Sequence, residues 1–142
     1  MYHFVWSTKG REQWLVSPLN DRAYAYITTM VNNNYGKVLA VGGMPDHIHL
    51  FVSLSQEVVV ADFVRKIKTN TSKMIHEIDV SYAGFAWQIG YGVFTVSASS
   101  VEIVKNYICN QSEPHKKSSF EEEYFRLLAK HKIVYDERYV LG

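Results

Sequence analysis

The chain has 142 residues, 47% of them apolar and 20% charged, with a formal net charge of +1. That length and balance suit one folded domain, expected to span residues 1–142. They exclude a disordered or strongly basic chain, so any nucleic-acid binding has to come from local patches. Apolar runs are no longer than a strand, which leaves no transmembrane helix, and no signal-type segment opens the sequence. The single cysteine, Cys109, can form no internal disulfide, and a cytoplasmic location is expected.

Tyr2, Phe4 and Trp6 alternate with His3, Val5 and Ser7, which predicts a first strand from Met1 to Thr8. Lys9-Gly10-Arg11 then forms a basic turn. A helix is expected from Pro18 to about Asn33, with Ser17 as candidate N-cap and Pro18 at the permitted first position. Ala23, Tyr26, Ile27, Met30 and Val31 supply its three- and four-residue spacing, and Asn32-Asn33-Asn34-Tyr35-Gly36 stops it. Lys37 to Gly43 predicts a second strand. Gly-Gly-Met-Pro-Asp turns it into a third, which carries His47 and His49 and makes a hairpin with its neighbour.

From Val58 to about Ile78 the pattern is helical again, with Val59, Phe63, Ile67, Met74 and Ile78 on the apolar face. Arg65, Lys66, Lys68 and Lys73 lie elsewhere and form either a solvated face or a phosphate-facing patch. The aromatic and β-branched stretch from Phe85 to Val96 is broken by Gly90 and Gly92, and predicts a bent strand or two short ones. Ser99 or Ser100 would cap a helix from about Val101 to Gln111. Pro114 ends that helix, and His115-Lys116-Lys117 makes a second basic spot. A last helix is expected from Ser119 to about His131, its start marked by the capping-box spacing to Glu122, and an extended tail from Ile133 follows.

Without the C-terminal helices the order is strand, helix, strand, strand, helix, strand. This is an α+β pattern, a ferredoxin-like antiparallel sheet with two helices on one face. In it Ile48, Leu50, Val52 and Leu54 pack beneath the helices. His47 and His49, roughly 6–7 Å apart at Cα, project from the opposite face, which is expected to be bare. Two neutral imidazoles side by side on a strand can chelate one metal ion, or they can be unrelated histidines at a strand edge. A chelate would need more ligands. The helix from Val101 offers Tyr107 and Gln111, four residues apart and therefore on one face. Gln111 can give a carbonyl oxygen to a metal. A phenol is a poor nucleophile at neutral pH, but Tyr107 becomes competent at a phosphodiester beside a cation; otherwise it is an amphipathic-helix tyrosine at a surface.

The residues that carry a resemblance come in a fixed order: Pro45-Asp46-His47-Ile48-His49-Leu50, then Trp87 with Gly90-Tyr91 and Phe94-Thr95-Val96-Ser97, then Asn106-Tyr107-Ile108-Cys109-Asn110-Gln111. Trp6 to Lys9, Lys68 to Lys73, Phe120 with Glu122-Glu123, and Tyr135 to Tyr139 extend it over nearly the whole chain. This set resembles the single-tyrosine HUH transposases, which move small insertion sequences as single-stranded DNA, and their relatives that act at repeated palindromes.

The resemblance implies His47, His49 and Gln111 as metal ligands and Tyr107 as the nucleophile. It implies Mg²⁺ or Mn²⁺, where two imidazoles alone would suggest zinc. The implied reaction is cleavage and rejoining of single-stranded DNA through a 5′-phosphotyrosine, with no nucleotide cofactor; no P-loop pattern is present. The implied partners are single-stranded DNA with hairpin ends and a second copy of the chain, such that Tyr107 of one subunit can complete the site of the other. Lys9, Arg11, Arg65, Lys68 and Lys73 are the candidate DNA contacts. Relatives often carry two histidines shortly after the glutamine. Here the sequence reads Pro114-His115, so no role is assigned to His115. Two rival readings are a DNA-binding regulator that no longer cuts, and a metal-dependent hydrolase that uses water in place of Tyr107.

Overall fold

The computed structural model describes residues 1–110. Gln111, His115-Lys116-Lys117, the helix expected from Ser119 and the closing extended tail lie outside the described residues. The elements are β1 (Tyr2–Ser7), α1 (Leu19–Asn34), β2 (Gly36–Met44), β3 (His47–Leu54), α2 (Val60–Ile78), β4 (Gly92–Thr95) and α3 (Val101–Cys109), with three short 3₁₀ turns between them. The four strands form one sheet in the order β2-β3-β1-β4, antiparallel throughout. This is the expected ferredoxin-like arrangement.

Period-two alternation along β1 and β3 makes the main core. Phe4 and Trp6 from β1 join Ile48, Leu50 and Val52 from β3, and all five are buried against Ile27 and Val31 of α1 and Phe63, Val64 and Ile67 of α2. A second cluster extends it at one end, where Leu15, Leu19, Ala23, Ile75 and Phe85 close together. The Phe85–Val96 stretch resolves as an isolated bridge from Trp87 to Thr8 followed by the four-residue β4, so the two-short-strands alternative describes it.

Three local expectations shift. The N-cap of α1 is Pro18, not Ser17, and no side chain caps it. In α2, which starts at Val60, Val59 is 60% exposed; Ile75, one position past Met74, takes the buried place. Ser100 is the N-cap of α3, but again without a side-chain hydrogen bond.

The largest departure concerns the second face of the sheet, which is not bare. Helix α3 covers it, and Ile108 is buried with Ala40 of β2 and Phe51 of β3. A bulge makes the seat. The register of β2 on β3 shifts between Val38 and Ala40. One extra residue there lets Val38 and Val41 join the main core while Leu39 and Ala40 face α3. Two positions on, Gly42 pairs with His49. A Cβ built on Gly42 would come within 2.8 Å of the Ile108 carbonyl oxygen, so α3 lies this close only because that position has no side chain. A glycine-rich strand end reads from sequence only as a turn signal, so this seat is not legible there.

Candidate active site

The hairpin between β2 and β3 turns through Pro45 and Asp46, with Met44 paired to His47. Its tip is held from two sides. The Thr8 N–H donates to the Asp46 carbonyl at 2.9 Å, and the Leu15 N–H donates to the Pro45 carbonyl at 2.9 Å. The start of β3 is therefore fixed before any ligand arrives, as a preorganised site requires.

His47 and His49 share the α3 face, as alternation predicts, and both are fully buried. Their ring centroids lie 5.1 Å apart. His47 Nδ1 lies 2.8 Å from Oδ1 of Asp46, its neighbour in sequence. His49 Nδ1 lies 2.8 Å from Nε2 of His3, which reaches it from β1. The ring of Tyr107, half-buried on α3, stands edge-on to His49 at 5.5 Å between centroids, with an interplanar angle of 88°. It also stands edge-on to His3 at 6.4 Å. Residues about sixty positions apart in the chain are thus brought together, and it is the close approach at Gly42 that puts them there.

The donor chemistry suits a metal ion. A carboxylate on His47 Nδ1 keeps the proton on that nitrogen and directs the lone pair to Nε2, which is how metal-ligating histidines are commonly held. The Nε2 atoms of His47 and His49 are both shut off from solvent. Among the described residues no group of three or more His, Cys, Asp or Glu forms a metal cluster by itself. The expected third ligand, Gln111, lies outside the described residues.

The expected DNA contacts fall in two places. Lys9 and Arg11 are exposed on the 3₁₀ turn after β1, where Gly10 and Arg11 both have positive φ (63° and 55°). Arg65 and Lys73 are exposed on α2, Arg65 with a 3.4 Å pair to Asp62. Lys68 is different. Its ammonium donates to the carbonyls of Gln88, Ile89 and Gly90 at 2.6, 3.2 and 3.1 Å, tying α2 to the loop before β4, and burial lowers its pKa to about 8. In turn the Gln88 amide oxygen accepts from the Ser7 N–H at the end of β1. Lys68, Arg65, Thr69 and Ser72 line an open groove of about 480 Å³ together with Trp87 and Tyr91.

Three site features escape a reading of the sequence: His3, Asp46 and Gly42. His3 has the same strand parity as Val5 and Ser7, but only the β1–β3 pairing, with Val5 opposite His49, shows that it reaches the histidine pair. Asp46 reads as turn chemistry, yet its carboxylate orients the imidazole that follows it.

This fold is shared with solved transposases. A candidate transposase from Deinococcus radiodurans R1, known from a crystal structure, superposes with a TM-score of 0.60 at 30% identity, over 78% of this chain and 88% of that one. A REP-associated tyrosine transposase bound to a REP hairpin superposes with a TM-score of 0.61 at 15% identity, over 80% and 67% of the two chains, and shows the fold alone. The class is therefore that of the transposases. The IS200-like transposase family matches residues 1–111, and the chain belongs to that family. Within it, the ISDra2 transposase TnpA of Deinococcus radiodurans is 26% identical over 117 residues, which cover 79% of this chain and 84% of the relative.

Proposed function

We propose that this chain cleaves and rejoins single-stranded DNA at hairpin-bearing ends, with Tyr107 as the attacking group. The observation that carries the reading is the placement of the Tyr107 ring against the buried His47–His49 pair, 5.5 Å from His49, in a member of a transposase family. The Tyr107 hydroxyl oxygen attacks phosphorus and loses its proton. The Oη–P bond forms, the P–O3′ bond breaks, and the departing 3′ oxygen takes up a proton. The product is a 5′-phosphotyrosine and a free 3′ hydroxyl. Bond energy is kept in that ester, so a second 3′ hydroxyl can reverse the step and join new ends without a nucleotide cofactor.

His47 and His49, with Gln111, would hold a divalent ion, Mg²⁺ or Mn²⁺. Such an ion supplies charge neutralisation at the phosphoryl oxygens when bound. Asp46 fixes the ring of His47, and the packing of α3 at Gly42 sets the distance of Tyr107 from the pair. Lys9, Arg11, Arg65 and Lys73 offer charge for the DNA backbone, and Trp87 and Tyr91 offer ring faces for stacking. The REP-hairpin complex of the structural relative supports a hairpin substrate. Two copies acting together, with Tyr107 possible in either subunit's site, complete the reading.

The test is a covalent adduct. Purified protein, a labelled hairpin-bearing single strand and Mg²⁺ or Mn²⁺ should give a protein–DNA band that resists denaturant and is absent in Tyr107→Phe. Tight hairpin binding with no adduct on any hairpin substrate would point to a regulator. Cleavage that survives Tyr107→Phe undiminished would point to a hydrolase.

A further inference from the structure

We propose that His3 is a positioning residue for His49: its Nε2 accepts a hydrogen bond from the His49 Nδ1–H and so fixes the tautomer in which His49 presents its Nε2 lone pair. The inference rests on the metal-holding role given to His49 above. His3 is 3% exposed and His49 fully buried, and the two nitrogens lie 2.8 Å apart on neighbouring strands. A neutral imidazole carries one N–H, so the direction of this hydrogen bond settles which nitrogen of His49 is a donor. If His49 Nδ1–H donates to His3 Nε2, the other nitrogen of His49 is a lone pair. If His3 donates instead, His49 must carry its proton on Nε2 and cannot ligate there.

His47 sets the pattern. Its Nδ1 faces the Asp46 carboxylate, which can only accept when ionised, so in the neutral imidazole the lone pair falls on Nε2. His49 has a second imidazole where His47 has a carboxylate. The pair is held in place on both sides. The His3 and His49 rings lie 5.1 Å apart, and His3 is also packed against Phe94 of β4 at 6.1 Å and Tyr107 of α3 at 6.4 Å. A ring pinned by three elements has little freedom to turn its Nε2 away, which is what an outer partner of a metal ligand needs. An imidazole is also a neutral acceptor. In this role it orients His49 without adding a second negative charge beside an incoming phosphodiester.

Two variants separate acceptance from packing. His3→Gln keeps an acceptor at about the reach of Nε2, and His3→Phe keeps the ring and removes the acceptor; His3→Leu stands in if the Phe variant does not fold. The first measurement needs no metal. The ¹⁵N and ¹H correlation spectrum of the side-chain imidazoles should show His49 as the Nδ1–H form in wild type and in His3→Gln, and as the Nε2–H form in His3→Phe. The second is Mn²⁺ titration followed by electron paramagnetic resonance. Loss of an outer partner should weaken binding about 10- to 100-fold in His3→Phe, while His3→Gln stays within about threefold of wild type. A wild-type His49 in the Nε2–H form, or an unchanged tautomer in His3→Phe, overturns the proposal. So does measurable Mn²⁺ binding of equal affinity in all three proteins. A wild type that shows the Nδ1–H form and binds no Mn²⁺ upholds the tautomer assignment and instead removes the metal reading on which its purpose rests.

Discussion

The two faces of the sheet are built from the same central strands and filled in opposite ways. Toward α1 and α2, β1 and β3 present Phe4, Trp6, Ile48, Leu50 and Val52, a continuous apolar layer under two long helices. Toward the nine-residue α3 they present His3, Ser7, His47 and His49 among Val5 and Phe51, all of them buried. One residue along either strand switches from one regime to the other. The apolar face holds the strands rigid through dispersion and burial, and that rigidity is what allows buried imidazoles on the reverse side to keep fixed partners. On the proposed function, stability and chemistry are separated by the pleat and not by distance along the chain. Substitutions at adjacent positions should therefore fail in different assays.

The sharpest contrast is within β3. His49→Ala should reduce DNA cleavage by about a thousandfold or more, as removal of one member of a cooperating set commonly does. Hairpin binding, measured by mobility shift, should stay within a few-fold of wild type, and His47→Ala should behave likewise. If either substitution abolishes hairpin binding and cooperative melting together, the α3 face is structural and the contrast between faces fails. Leu50→Ala, the next residue along, should do the reverse. It removes a fully buried side chain from the main core and should cost about 2–5 kcal/mol of unfolding free energy in urea. Cleavage per folded molecule should change little.

Much of this was readable in the residues. Alternation in Tyr2 to Ser7 and in His47 to Leu54 gave both faces, and the helix, strand and turn signals gave the ferredoxin-like order. The spacing in α3 put Tyr107 on a helix. What pattern alone could not supply was the third layer. A strand face with two histidines looks polar, and so exposed, until α3 is known to lie on it. That docking depends on a bulge at Leu39 and on the missing side chain of Gly42, and both are properties of pairing in three dimensions. The same holds for His3, which meets His49 only through the β1–β3 register, and for Lys68, whose place on a basic helix says nothing of the three carbonyls it meets.

Gly42→Ala tests that third layer. A methyl group there meets the Ile108 backbone oxygen at 2.8 Å, and a backbone atom cannot swing aside, so α3 must back away from the sheet. Displacing a reacting group by a fraction of an ångström to an ångström should lower cleavage about 10- to 100-fold. The overpacking should cost about 1–2 kcal/mol in urea unfolding. Unchanged cleavage would mean that α3 does not need this seat to deliver Tyr107.

The smallest effect should come from Lys68, which belongs to neither face but braces the loop before β4. Lys68→Met keeps the stem and removes the ammonium that bonds three carbonyls. Hydrogen bonds from a charged group are worth more than neutral ones, but this one is partly solvated, so a loss of about 1 kcal/mol near pH 7 is expected. The pH dependence has a definite sign. Burial lowers the folded pKa of Lys68 to about 8, below its ordinary value of 10.5. Between those values the unfolded chain still binds a proton that the folded protein has released, so the contribution of Lys68 to stability rises with pH across that window. The methionine variant has no such titration. The stability gap between wild type and Lys68→Met should therefore be level below about pH 8 and widen toward pH 10, as read from urea unfolding at pH 7, 8.5 and 9.5. A gap that stays level over that range would mean that the three carbonyls hold the proton on Lys68 at least as strongly as burial expels it, leaving the brace charged throughout.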